Sequence, residues 1–293
     1  MQKWFVVFIL FLFCSCEKTI DIQPEIREPV VVVDAQIENG QPPVVTLTNS
    51  INYFSTISRE ILSGIFIRNA QVTINDGTNT YKLKEYTIPI GGGFNTYYYS
   101  VDNTNPASIV LGQFAKSYKL QIVVNGKLYT SQTNIPNLTK KIDSLWWKAA
   151  PFNKDTTKVN LLAKVTDPPG YGNYIRYFTK VNSAAFLPGE NSAFDDQIID
   201  GKTYEVQVDQ GIDRNDPPEQ EDYGFFKRGD TATVKFCNTD KATYDFWRTI
   251  EFGYQSIGNP FSSPIKILGN VSNGALGAFC GYAAQYKTIV IPK

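Results

Sequence analysis

Tyr118-Lys-Leu-Gln-Ile-Val-Val124, Asn125-Gly126 and Lys127-Leu-Tyr-Thr-Ser-Gln-Thr-Asn134 decide the class of the fold. Apolar and polar residues alternate on both sides of an Asn-Gly pair. A period of two puts one face of a strand in a core and the other in water. Asn-Gly between two such runs supplies the positive φ angles of a two-residue hairpin turn.

The same pattern recurs outward from this hairpin, in Tyr204-Glu-Val-Gln-Val208 and Thr231-Ala-Thr-Val-Lys-Phe236. Further β-rich runs occupy 30–37, 43–49, 70–75, 79–85, 94–101, 142–148, 158–166, 173–180 and 284–291. Turn signals separate them, among them Asp76-Gly77, Gly91-Gly92-Gly93, Pro168-Pro169-Gly170 and Asp200-Gly201. Short strands at this spacing predict β-sandwiches. One segment departs from the rule, with Thr243, Phe246, Trp247, Ile250 and Tyr254 on a helical stripe. It predicts a single long helix near 239–254, capped by Asn238 or Thr239, with Asp240 in its first turn.

A boundary is expected at 135–141, where Ile135-Pro136-Asn137 ends one complete set of strands. Residues 26–136 read as an immunoglobulin-like or carboxypeptidase-regulatory-like sandwich. Residues 140–293 read as a larger β domain carrying the helix, so the class is mainly β.

The start of the chain has a different logic. Trp4 to Phe13 is a run of ten apolar residues after Lys3, and it stops at Phe13-Cys14-Ser15-Cys16-Glu17. A spanning helix needs about 20 such residues. A short basic start, an apolar run and small residues describe a secretory signal. Cys16, preceded by Ser15, sits where a bacterial lipoprotein carries its acylated cysteine. Residues 1–15 are then a removed signal peptide, and 16–25 form a tether lipidated at Cys16 with chains such as palmitate. Each buried CH₂ contributes about 0.8 kcal/mol, so two or three acyl chains hold a protein on a membrane.

Composition excludes whole classes of chemistry. The 28 basic and 28 acidic residues balance, which argues against nucleic acid as a partner, since phosphate binding needs a basic face. Histidine is absent, which removes Ser-His-Asp and Cys-His nucleophile systems and every histidine-ligated metal site. No cofactor is implied. Cys237 and Cys280 remain after processing, either as one disulfide or as two buried thiols.

Among oxygen ligands, Asp209, Asp213 and Asp216 are the densest calcium candidates. They lack the spacing of a calcium loop, and a solvated acidic loop is the preferred reading. Asp195 and Asp196 with Glu205 are the carboxylates that a glycosidase reading points to, although acidic pairs near turns such as Asp200-Gly201 are common. Surfaces for a partner are sought in loops 51–69 and 86–93, in Ile61, Leu62, Ile65 and Phe66, and in Trp146 and Trp147. If 142–148 is a strand, one tryptophan faces the core, and the other is free for a ligand or for the neighbouring domain.

Several segments carry a resemblance in order along the chain. Cys16-Glu-Lys-Thr-Ile-Asp-Ile22 precedes Val30-Val-Val-Val-Asp-Ala35, and Phe194-Asp-Asp-Gln-Ile-Ile-Asp-Gly-Lys202 precedes the helical segment at 240–251. Gly258-Asn-Pro-Phe-Ser-Ser-Pro264 then leads into Gly269-Asn-Val-Ser-Asn-Gly-Ala-Leu-Gly-Ala-Phe279. Together they resemble a family of Bacteroidota outer-membrane lipoproteins catalogued as a domain of unknown function, DUF4249. The resemblance implies a lipid-anchored accessory protein of TonB-dependent receptors in nutrient uptake. Glu17 and Asp21, acidic residues close behind Cys16, favour the cell surface over the periplasmic face and leave both open. The resemblance brings no catalytic residues. The expected activity is binding or interaction, with a structural subunit of an outer-membrane assembly or secretion complex as the alternative and a hydrolase third.

Overall fold

The computed structural model describes residues 28–51, 58–151, 153–259, 262–263 and 265–293. The signal, Cys16, the tether and part of the 51–69 loop lie outside these residues, as do Pro260, Phe261 and Pro264. The first half contributes β1 (Val31–Glu38), β2 (Val44–Asn49), α1 (Arg59–Gly64), β3 (Gln71–Asn75), β4 (Thr80–Lys82), β5 (Lys84–Gly91), β6 (Phe94–Ser100), β7 (Lys116–Val124) and β8 (Lys127–Ile135). The second contributes β9 (Lys141–Ala149), β10 (Lys158–Thr166), β11 (Tyr174–Val181), β12 (Leu187–Phe194), β13 (Thr203–Val208), β14 (Phe226–Lys227), β15 (Thr231–Thr239), α2 (Lys241–Gln255) and β16 (Leu276–Val290).

One eight-stranded sheet runs through both halves in the order β12-β11-β15-β16-β1-β2-β6-β5. Two smaller sheets pack on one of its faces. The first, β4-β3-β7-β8, closes a core over β1 and β2 that contains Val33, Ile37, Val72, Ile74, Tyr118 and Leu120. The second is built on β10, which pairs with β9, β13 and β14, and covers β11 and β15 through Val159, Leu161, Tyr177, Val234 and Phe226. Burying each large apolar side chain contributes about 1.5–3 kcal/mol. The mainly β, sandwich-like class expected from the alternation is what the chain adopts.

The last strand joins the halves. β16 pairs in parallel with β1 from Leu276 to Tyr282, and antiparallel with β15 from Tyr282 to Val290. Its alternation serves three layers. Phe279 and Ala283 enter the first sandwich core, while Cys280, Tyr282 and Ala284 face α2 on the other side of the sheet. Between them Gly281 lets β8 cross closely, since a Cβ there would lie 2.6 Å from the Asn134 carbonyl oxygen.

Several expectations change. The helix begins at Lys241, one residue later than a Thr239 cap and two later than an Asn238 cap would start it. Asp240 is the N-cap, and its carboxylate accepts the Thr243 N–H at 2.8 Å. It also accepts the Asn134 N–H and the Thr133 hydroxyl, fixing the helix to β8. Cys237 and Cys280 are free, buried thiols. Cys237 stands opposite Ala284, four residues along β16 from Cys280. That offset is about 13 Å at strand rise, beyond the reach of a disulfide.

The segment 86–93, read as a loop, continues β5 as far as Gly91. The irregular apolar stretch at 61–67 splits by role. Ile61 and Leu62 lie on α1, exposed, whereas Ile67 is buried in the first core. Phe66 bridges Thr48 and packs edge-on against Tyr97. Trp146 and Trp147 are both half-buried, but they alternate as expected, with Trp147 opposite the buried Leu161 and Trp146 on the other face of β9. Trp147 packs on the second core with Arg228 over its ring, so it serves the fold.

Candidate functional site

Among the described residues, three carboxylates converge where β10 ends and β11 begins. Asp167-Pro168-Pro169-Gly170 stops β10, since proline removes a ladder donor and fixes φ. Gly170 and Gly172 then take φ of 109° and 108°, and return the chain to Tyr174. The segment 194–202 folds against this turn and exchanges hydrogen bonds with it. Asp200 accepts the Gly170 N–H at 2.6 Å, and Asp167 accepts the Gly201 N–H at 3.1 Å. Asp196 accepts the N–H groups of Gly172 and Asn173, and the Asn173 side-chain amide.

Carboxylate oxygens of Asp167, Asp196 and Asp200 all lie within 4.8 Å of one another. The chain places a cation beside one of them, Asp167. Lys140 Nζ lies 2.8 Å from Asp167 Oδ1, with both side chains fully buried. The ammonium also lies 5.5 Å from the centre of the Tyr204 ring. Asn238 and Gln285 hold the Lys140 backbone from β15 and β16. Burial pushes the Asp196 carboxyl up, but the Asn173 and Gly172 donors outweigh it and leave it below the ordinary range. Calcium needs six to eight oxygens at 2.3–2.6 Å, and the lysine ammonium occupies the charge role that such an ion would take. The cluster is a clamp between two loops, made by the backbone N–H groups that its carboxylates accept, with Lys140 paired to Asp167 beneath it.

What the clamp holds in place is a cleft of about 360 Å³ lined by Tyr171, Gly172, Tyr174, Asp195, Asp196 and Gln197. Tyr171 is 76% exposed at its mouth. Tyr174 stacks on Tyr244 of α2 at 4.9 Å, and the Tyr244 hydroxyl donates to Asp195 at 3.1 Å. Burial, then that hydrogen bond, raises the Tyr244 hydroxyl to about 12. The cleft presents tyrosine faces, hydroxyls and carboxylates beside the clamp. It suits a ligand that donates hydrogen bonds through hydroxyl or amino groups.

The chain matches the family described as Domain of unknown function (DUF4249) over residues 17–288. It belongs to that family. No curated protein matches it. The 194–202 segment that carried the resemblance supplies Asp195, Asp196 and Gln197 to the cleft and Asp200 to the clamp.

Other candidates fall elsewhere. Asp213 and Asp216 are exposed, and Asp213 serves its own turn by accepting from Asn215. Asp209 accepts from Gln207 beside it. Glu205 stands exposed on β13 opposite Lys164, while Asp195 and Asp196 belong to the cleft.

A second buried network escaped the sequence reading. Arg176 lies over the Trp247 ring at 3.4 Å, and donates to the Ser192 and Tyr282 hydroxyls. Glu251 accepts from the Ser192 hydroxyl and from the N–H groups of Ser192 and Ala193. This network fixes α2 to β12 and β11. The one available signal was that Glu251 follows Trp247 by four residues, which puts it on the buried stripe.

Proposed function

We propose that the mature chain is a lipid-anchored binding module of the outer membrane, working beside a TonB-dependent transporter. The observation that carries the binding half is the tyrosine–carboxylate cleft at 171–174 and 195–197, set on the buried Lys140–Asp167 clamp. Ligand sites are concave and largely pre-formed, with a few placed polar groups, and this cleft has that form. The anchoring half rests on Phe13-Cys14-Ser15-Cys16, and the transporter half on the family resemblance.

The test is a thermal-shift screen of sugars, polyols and amines on the wild type, on Tyr171→Ala and on Asp195→Asn. A ligand at a hundredfold excess over Kd adds about 2.7 kcal/mol to stability. A hit that stabilises the wild type and is weakened in both variants supports the site. Hits that act equally on all three would remove the cleft from the account.

A further inference from the structure

The lipid tether leaves the body at a definite place. Val31 pairs with Asn49, and the Ser50 N–H bonds the Val30 carbonyl, so the chain enters β1 beside the end of β2. The Asn49 N–H bonds the Ile65 carbonyl, which brings α1 to the same end. The β5–β6 hairpin points the same way. It meets β2 only at Val45–Tyr99, and from there β6 runs back past the level of Asn49 toward its tip at Gly91–Phe94. Leu276, the first residue of β16, is level with Val32.

This end carries a group of exposed apolar side chains. Ile51, Ile61, Leu62, Ile88, Ile90 and Leu276 are between 38% and 62% exposed. Exposed apolar residues are ordinary, and Leu111 and Phe114 are exposed at the opposite end, so what singles this group out is its place beside the entry of the tether. Pro89 lies between Ile88 and Ile90 in the edge strand and lacks the N–H that a docking strand would need. The rim is thus poorly suited to adding a protein strand.

We infer that this apolar end seats on the lipid bilayer, with Ile61 and Leu62 of α1 and Ile88 and Ile90 of the hairpin entering the headgroup boundary. The inference rests on the anchor reading proposed above, because the occupant follows from where the tether emerges. Fourteen residues separate Cys16 from Val31, a reach of at most about 50 Å. An acylated Cys16 therefore ties the body to the bilayer through this end, within that reach. At such proximity a weak apolar contact becomes effectively intramolecular and is populated.

The test uses the acylated full chain in vesicles of phosphatidylethanolamine and phosphatidylglycerol, after mass spectrometry has verified the acyl groups. Leu62→Cys and Ile88→Cys variants carry a fluorophore, and Gln41→Cys is the control. The native Cys237 and Cys280 are buried and do not compete for label. Gln41 lies at the other end of β1 and β2, where Leu111 and Phe114 are also exposed, so the control is not merely polar surface. Nitroxide lipids should quench positions 62 and 88 severalfold more than position 41. Equal quenching at all three in acylated protein would overturn this inference and leave the anchor intact. A chain that reaches the membrane without acyl groups would overturn the anchor reading, and this inference with it.

Discussion

Lys140 is the residue on which the site depends most. Its ammonium and the Asp167 carboxylate are both fully buried, and neither has water to fall back on. Removing one partner of such a pair typically costs about 3–5 kcal/mol, because the other charge stays buried alone. Lys140→Met should lower stability by that amount in urea denaturation, and Lys140→Met with Asp167→Asn should recover part of it. A single variant within about 0.5 kcal/mol of the wild type, inside the range of an ordinary surface substitution, would show that the pair does not hold the loops. Asp76 makes a different prediction. The Asn79 N–H, then Lys116, hold its carboxyl down to about 2. A depressed carboxyl stabilises the fold above its unfolded value near 4, and loses that contribution as pH falls toward 2. Asp76→Asn should therefore flatten the acid limb of stability between about pH 4 and 2, and an unchanged limb would count against the assignment. The two thiols shift the other way from Asp76, since burial raises both Cys237 and Cys280 to about 12. Neither should react with maleimide at pH 8 in the folded protein, and both should react once it is unfolded.

At the scale of elements, Asp240 carries two loads. It caps α2 through Thr243 and ties the helix to β8 through Asn134 and Thr133. A cap alone is worth about 1 kcal/mol, so Asp240→Ala should cost more, about 2 kcal/mol or above by thermal or chemical unfolding. A loss of only a few tenths would mean that the tie to β8 is incidental. Strands with clean alternation were legible from the sequence: β1, β2, β7, β8, β10 and β15 lie close to their expected runs. β12 was not, because Leu187-Pro-Gly-Glu-Asn191 lacks alternation and carries residues tolerated only at a sheet edge. Its Gly189 is required for another reason, since a Cβ there would fall 2.2 Å from the Tyr177 hydroxyl. The first half of β16 was hidden by its glycines and read as turn geometry. In the fold, Asn270 of that approach bonds Ser131, Gln132 and Phe279, so the segment clamps β8 to β16. The site was legible in parts only. Asp195 and Asp196 were singled out as carboxylates and Asp200-Gly201 as a turn. Their meeting with Lys140 and Asp167 depends on pairings that no local pattern encodes.

For the whole molecule, β16 has the largest consequence. Because one strand serves β1 and β15 and enters both layers of packing, the two sandwiches share a hydrogen-bond ladder. Unfolding should be one cooperative transition, with calorimetric and van't Hoff enthalpies equal, although the sequence divides into two sets of strands. Two resolved transitions would mean that the shared strand transmits little. The functional account rests on a cut and a lipid at the start of the chain. The most direct measurement is the mass of the N-terminal peptide from protein purified out of its native membranes. The account expects residues 1–15 to be absent and Cys16 to begin the chain with acyl groups attached. An N-terminus at any other residue, or an unmodified Cys16, would contradict it.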